Sequence, residues 1–369
     1  MIEGSASAAQ ATARPVRAAV PFPQPSAAPP ETLALNDRHD IAVLGPVPHD
    51  HITTWQGEVI EKFGGALYTV ASLSSLVGEG SRIVPVSHVR RDDGELVRDL
   101  LSELPHVDTR HVRSHADRGD VVTLFYTHHN RRVERQTGFM NPITPDDLTG
   151  LMDVDAFVCV PITDFEVPLV TLQHIRANSD ALIVFDAHGP TTTCTREGER
   201  TAKLWVDRDL WLPCIDILKM NRDEASCCWF ADEHDPGSPA RAGPLPMAEL
   251  PKLAAHCLAR GVRALCVTFD EHGCVMYFND ADGRLREHVI RHVPVEHVID
   301  TTGCGDSFAG GLAYGYLRTG DYVAACHYGN AMGAQRCTST DLRIHPEREA
   351  TDRQIAETYR SLAPFGPGR

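Results

Sequence analysis

Short aliphatic runs recur along the chain, separated by stretches long enough to form helices. Residues 40–45, 82–87, 156–160, 181–186, 215–219 and 264–268 are each dominated by Val, Ile, Leu and Ala. Runs that are apolar at nearly every position, rather than at every second one, belong to strands covered on both faces. Their spacing predicts a parallel sheet flanked by helices. Residues 65–77 read as one of those helices. Ligands of such sheets sit beyond the carboxyl ends of the strands, which singles out Asp50, Asp186, Asn221 and Asp270. One stretch breaks the alternation. Residues 120–127 and 131–136 read as a hairpin with His129 and Asn130 near its turn. With residues 46–63 they predict a small β layer standing off the main sheet; an ordinary edge hairpin is the alternative. There is no internal repeat.

The ends differ from the middle. Residues 1–36 are rich in Ala, Pro and Ser and almost lack large aliphatics. Such a segment cannot bury enough apolar surface to offset its ordering entropy, so a disordered tail is expected. Residues 364–369 also read as frayed. The expected organisation is therefore one α/β domain over residues 37–360, with lid strands within 46–63 and 119–137.

Composition narrows the function classes. The chain has 369 residues, 42% hydrophobic and 23% charged, enough for a sizeable core. A formal net charge of -15 argues against nonspecific nucleic-acid or anionic-membrane partners, while leaving room for an anionic ligand in one basic pocket. No apolar run reaches ~18 residues, so no membrane-spanning helix is expected. The 11 cysteines are scattered through apolar stretches without a CxxC pair, and the adjacent Cys227 and Cys228 are not at a usual metal spacing. They read as reduced core thiols of a cytoplasmic protein. Among 19 histidines the densest cluster is His128-His129 and no HExxH helix occurs, so spacing points to no structural metal.

The sharpest chemical signal is Asp300-Thr-Thr-Gly-Cys-Gly-Asp-Ser-Phe-Ala-Gly-Gly311. It follows a strand-like His297-Val-Ile299 and opens an apolar helix through Leu312 and Tyr316. Glycines at 303 and 305 let backbone N–H groups turn toward a ligand, and a helix N-terminus adds unpaired amides with partial positive charge. An acid lodged in such an anion cradle makes sense as a base beside developing phosphoryl charge. A dinucleotide fingerprint would need GxGxxG and a Walker A loop would need GK[ST]; neither is present. A plain glycine-rich helix start with a favourably placed Asp is the remaining alternative.

This stretch closely resembles the second signature of the ribokinase/PfkB family of carbohydrate and nucleoside kinases. The resemblance implies a three-layer ribokinase-like sandwich with a mostly parallel sheet and a small β lid. It makes Asp306 the catalytic base and Gly303, Cys304 and Gly305 the anion hole, with Cys304 where the family more often has Ala. Other landmarks fall in family order over roughly residues 40–345. Residues 45–50 resemble the first-strand motif whose Asp, here Asp50, grips substrate hydroxyls. Phe63-Gly-Gly-Ala-Leu-Tyr-Thr-Val-Ala71 resembles the first signature and assigns Gly64, Gly65 and Thr69 to substrate binding. Lys219-Met-Asn-Arg-Asp-Glu-Ala225 resembles the Asn-x-x-Glu motif, in which Asn221 and Glu224 place phosphate and, through water, Mg²⁺. Thr268 and Gly273 fall in the nucleotide-loop motif, and Asn330 in the helix flanking the adenine. Asp300 and Thr302 take the place of groups that hold a monovalent cation such as K⁺ in many relatives.

The departures lie on the acceptor side. Thr69 replaces the usual sugar-contacting Asn, Asp270 replaces a Gly, and Ala-His-Gly-Pro follows Asp186 in place of Pro-Asn-x-Arg. The resemblance thus implies ATP- and Mg²⁺-dependent phosphorylation of a small-molecule hydroxymethyl group on a sugar, nucleoside or related polyol, in a homodimer formed through the lid. The alternatives are a non-catalytic PfkB-like binding or regulatory protein, or a kinase of a non-sugar alcohol or sugar phosphate. Arg131, Arg132 and Arg135 in the lid are the residues that would select an anionic acceptor.

Overall fold

In the computed structural model, described over residues 38–128, 131–230 and 243–360, the first apolar run becomes strand β1 (Asp40–Leu44). Its side chains alternate between two cores: Ile41 and Val43 enter one, Ala42 and Leu44 the other. Burial on both sides is what an uninterrupted apolar run requires. The chain then leaves the sheet as β2 (His49–Thr53) and β3 (Val59–Phe63), returning through helix α1 (Ala66–Leu76) and β4 (Arg82–His88). Helix α2 (Gly94–Ser102), the short β5 (Val112–Arg113), and the long hairpin β6 (Val121–His128) and β7 (Arg131–Gly138) follow. Next come β8 (Ala156–Cys159), α3 (Leu169–Asn178) and β9 (Leu182–Asp186), then the hairpin β10 (Thr192–Cys194) and β11 (Arg200–Ala202), and α4 (Arg208–Trp211). The remaining elements are β12 (Ile217–Asn221), α5 (Arg222–Cys228), α6 (Leu250–Ala259), β13 (Ala264–Thr268), β14 (Cys274–Asn279), β15 (Leu285–Ile290), α7 (Cys304–Thr319), α8 (Tyr322–Arg336) and α9 (Arg348–Arg360).

The main sheet has nine strands in the order β15-β14-β13-β12-β9-β8-β1-β4-β5. From β13 to β5 every pairing is parallel; β14 and β15 add an antiparallel edge. Helices α1, α7 and α8 cover the core that holds Ile41 and Val43, and α3 and α6 cover the other, so the architecture is three-layered α/β. A separate four-stranded sheet, β3-β2-β6-β7, stands off to one side as a lid with its own small core of Ile52, Val122 and Leu124.

Two expectations are corrected. Residues 297–299 form no strand: Val298 and Ile299 are 62% and 63% exposed, and the Ile299 N–H donates to Cys337 O at 2.8 Å. The sheet has already closed with β15, so this apolar triplet has no strand to pair with. The run at 215–219 pairs later than its composition suggests, because a Pro213-containing turn over Leu212–Cys214 delays the strand to Ile217. The N-terminal tail, the turn residues His129 and Asn130, and residues 364–369 lie outside the described residues.

Candidate active site

Helix α7 begins at Cys304 after Gly303, whose φ of 81° is left-handed. A Cβ at 303 would lie 2.2 Å from the Tyr68 ring, so both conformation and space demand glycine there. The helix N-terminus carries no side-chain cap. Gly303 and Gly305 donate to no acceptor among the described residues, while the Cys304 amide is directed at Thr301 O at 3.3 Å. Two of the three amides assigned to the anion hole are thus open, at the positive end of the helix. Cys337, and then burial, push the Cys304 thiol up.

Asp306 stands in the first turn of α7 and is half-buried. Burial, and then repulsion from Asp186, push its carboxyl up to about 6, against the attraction of Lys219 and His188. Thr69, assigned to the acceptor from sequence, is fully buried, and its Oγ1 donates to Asp306 O at 3.0 Å, which ties α1 to the turn that carries Asp306.

Asp50 comes from β2 in the lid and is 5% exposed. Burial raises its carboxyl to about 7; Glu134 and Asp306 add to the rise, and Lys62 and Arg200 oppose it. A Cβ at Gly64 would come 2.6 Å from Asp50 Oδ2, and one at Gly65 would come 2.5 Å from Pro46 O. The paired glycines therefore make room for Asp50 and for the chain that presents it.

Asn221 caps α5. Its Oδ1 accepts from the Glu224 N–H at 2.8 Å, and its own N–H donates to Glu224 Oε2 at 2.8 Å. Glu224 Oε1 also accepts from Asn221 Nδ2 at 3.0 Å and lies 2.9 Å from His188 Nδ1. Burial alone would raise this carboxyl; the His188 hydrogen bond, with Lys219 beyond it, outweighs burial and holds it below its usual range. Thr268 ends β13 and Gly273 makes the turn into β14 with φ 94°, while Asp270 takes a left-handed φ of 49°. Asn330 Nδ2 donates to Arg291 O at 3.0 Å and Tyr359 OH at 3.1 Å, which ties α8 to the segment after β15 and to α9.

Asp300 accepts from Lys62 Nζ at 2.6 Å and Arg336 Nη2 at 3.2 Å, and Oδ1 receives the Thr302 N–H at 2.9 Å. Lys62 belongs to the lid strand β3, so this ion pair tethers the lid to the anion-hole turn.

Three side chains central to the site were not found from sequence. Lys219 is 5% exposed, pairs with Asp186 Oδ2 at 2.6 Å, and its Nζ lies 3.1 Å from the place of a Cβ on Gly305. Its ammonium is held charged by Asp186 and Glu224 despite burial. His188 and Arg200 adjoin this cluster: Arg200 Nη2 lies 2.9 Å from His188 Nε2 and donates to Ile162 O at 3.0 Å, Nη1 reaches Gln136 Oε1 at 3.3 Å, and Nε pairs with Glu134 at 3.3 Å. Lys219 stood inside a quoted motif and His188 inside a noted departure, so both carried a signal. Arg200 carried none. Arg135 is exposed on the lid; the side chains of Arg131 and Arg132 are outside the described residues.

The profile of the pfkB family carbohydrate kinases matches residues 53–348, most of the chain. The protein belongs to the PfkB family. A mouse ribokinase is 36% identical over 116 residues, 31% of this chain and 31% of the mouse protein; the curated relatives thus align over less than a third of their length. Among solved structures, Arabidopsis thaliana ribokinase, complexed with ribose and ATP, matches at TM-score 0.65 with 16% identity, covering 86% of this chain and 99% of its own. A Burkholderia thailandensis nucleoside kinase, in complex with inosine, matches at TM-score 0.61 with 18% identity, over 89% of this chain and 100% of its own. At these identities the structures speak for the fold. This PfkB protein therefore has the ribokinase-like architecture, with Asp306 in the family's glycine turn.

Proposed function

We propose that the protein transfers the ATP γ-phosphoryl to a hydroxymethyl group of a neutral sugar, nucleoside or related polyol, with Asp306 as general base. The observation that carries this reading is the position of Asp306: a half-buried carboxyl raised to about 6, in the first turn of α7 beside open amides and near Lys219. A base near the operating pH can take the hydroxyl proton late in a loose transition state. The Gly303 and Gly305 amides and the Lys219 ammonium are preorganised for the migrating phosphoryl. Asn221, Thr268, Gly273 and Asn330 follow the nucleotide side. The lid excludes water so that phosphoryl passes to the acceptor and not to solvent.

The residues fit a Mg²⁺ ion held through water. Glu224 already accepts three hydrogen bonds, leaving about one of its roughly four lone-pair directions free, which suits a metal-bound water. Such an ion would offset phosphate charge. The Asp300 carboxylate, to which the resemblance assigned a K⁺ site with Thr302, is already offset by Lys62 and Arg336, so we read the activity as independent of K⁺.

A neutral acceptor fits the groups around Asp50, whose own carboxyl, raised to about 7, is only partly ionised near neutral pH. Asp50 and Glu134 stand on the acceptor side, and the buried guanidinium there, Arg200, is committed to Glu134, Gln136, Ile162 O and His188. The non-catalytic reading fits poorly with a base, amides and ammonium that all remain placed for transfer. The free cysteines, eleven in all, suit a reducing cytoplasm. The exposed Val59, Phe125 and Val133 align as one apolar row on the outer face of the lid, beside the row of His51 and Glu61, and offer an edge for a second copy, which sedimentation at twice the chain mass would support and a monomer mass would refute.

The test is ATP consumption over matched panels of neutral sugars, nucleosides and polyols and of their phosphates. Turnover with a neutral acceptor is expected; turnover confined to phosphorylated acceptors, or none with any panel member, would contradict the proposal.

A further inference from the structure

The outer face of the lid carries a cluster for which phosphoryl transfer has no use. On β2, His49 and His51 alternate with Asp50, and the pleat that buries Asp50 sends both imidazoles to the opposite face. The rings stack with centroids 4.6 Å apart and 21° between planes. Glu61 on β3 lies directly across from His51 in the register. Glu61 Oε1 is 3.3 Å from His51 Nδ1, and Oε2 is 3.7 Å from His49 Nε2. One ligand atom from each residue lies within 4.8 Å of the others.

We propose that His49, His51 and Glu61 bind a divalent transition-metal ion, of which Zn²⁺ is the type, on the outer face of the lid. Two imidazoles and one carboxylate on one face are the donor set that Zn²⁺ and its neighbours favour over Mg²⁺. Metal–ligand bonds of about 2.0–2.2 Å place tetrahedral donors about 3.4 Å apart, close to the 3.3 and 3.7 Å that separate Glu61 from the two rings, so small rotations bring one carboxylate oxygen and both imidazoles onto a shared ion. Exposed side chains accommodate that by rotation: the side chains of His51 and Glu61 are 35% and 61% exposed. That exposure also opens the remaining coordination positions to water.

The surroundings are arranged for it. His49 Nδ1 lies 3.2 Å from Oδ1 of Asp93, which is 5% exposed. A proton on Nδ1 given to Asp93 leaves Nε2 free for the metal, as carboxylate partners do for ligating histidines. Arg90 Nη2 also approaches His49 Nδ1, at 2.8 Å, but the same guanidinium holds Asp93 through Nε at 2.6 Å and Nη2 at 3.0 Å. As the site stands, the Arg90 donor makes Nδ1 an acceptor and leaves the proton on Nε2; metal binding at Nε2 requires Arg90 Nη2 to withdraw from the ring onto Asp93, so that an Nδ1–H donates to that carboxylate. Among the described residues Glu61 has no Lys or Arg partner, since the neighbouring Lys62 turns inward to Asp300. The other cluster of metal-binding atoms, Cys266, Cys274 and Cys326, lies in the core with every residue at 0% exposure and no path for an ion. An ion on the lid would join β2 to β3 on the face opposite Asp50 and Lys62, stiffening the hairpin that presents them.

The experiment is titration of the metal-free full chain with Co²⁺ and Zn²⁺, without nucleotide or Mg²⁺, followed by calorimetry and by the Co²⁺ visible spectrum. One ion per chain at micromolar affinity is expected, with d–d bands and no thiolate charge transfer. Glu61→Gln and His51→Ala should each weaken binding at least ~10-fold, and Asp93→Asn by about 10-fold. Melting temperature in chelator checks that each variant folds, and His51→Gln replaces His51→Ala if it does not. Thiolate-to-cobalt charge transfer would assign the ion to the cysteine cluster and overturn the proposal. So would affinity unchanged in the His51 and Glu61 variants, or the lack of any saturable binding.

Discussion

A carboxylate at position 306 is favoured by the helix N-terminus and disfavoured by burial, and burial prevails, raising it to about 6. Asp50 is raised further, to about 7, mainly by burial. Each carboxyl holds its proton more tightly when folded than in the unfolded chain, where about 3.9 is usual. Their contribution to stability is therefore full below about 4 and is lost as pH rises through about 7. Asp50→Asn, which stays neutral, should raise the melting temperature relative to wild type at pH 8 and much less at pH 4. Calorimetry at the two pH values checks this; equal shifts at both would contradict it. The Asp306 signal was readable because an acid in an anion cradle is a conflict that chemistry explains. The raised state of Asp50 was not readable, since it depends on a lid closing over it.

At the scale of elements, the first turn of α7 is held from two directions: Thr69 of α1 bonds Asp306 O, and Lys62 of β3 pairs with Asp300. Thr69→Val removes a buried hydrogen bond worth about 1 kcal/mol and leaves the carbonyl unpaired. Lower kcat and a lower melting temperature are expected, with the acceptor KM unchanged; a raised acceptor KM at constant kcat would return Thr69 to the acceptor. Because Lys62 and Arg336 neutralise Asp300, rates in KCl and in tetramethylammonium chloride should agree within about twofold, well short of the tenfold that 1.4 kcal/mol would bring. A tenfold loss without K⁺ would refute the built-in cation. The sequence motif named Asp300 and Thr302 together as groups that could hold a cation. Their partners, 238 and 36 residues away, had no sequence signal because charged pairs across an element boundary leave no periodicity.

At the scale of the whole molecule, the parallel half of the sheet was legible because β1, β4, β8, β9, β12 and β13 are mostly apolar, with polar residues chiefly at their ends and Lys219 the exception inside β12, and such runs mark doubly covered strands. The antiparallel edge was not. In β15 only Ile290 is buried, so its pattern carries no core face to recognise. The glycine turns at 64–65 and 303–305 marked the two places where the lid and α7 approach the cleft. Arg200 escaped because a short hairpin, β10 with β11, brings it in from outside the main alternation.

The central claim is that Asp306 removes the acceptor proton. Rapid-quench single-turnover transfer from ATP to the best neutral acceptor, in wild type and Asp306→Asn, tests it most directly. The wild-type rate should rise with pH through about 6. The variant should lose about 10²–10⁴ in rate and the pH dependence with it, while ATP affinity holds within about twofold because the amide cradle is unchanged. A variant rate close to wild type would contradict the account.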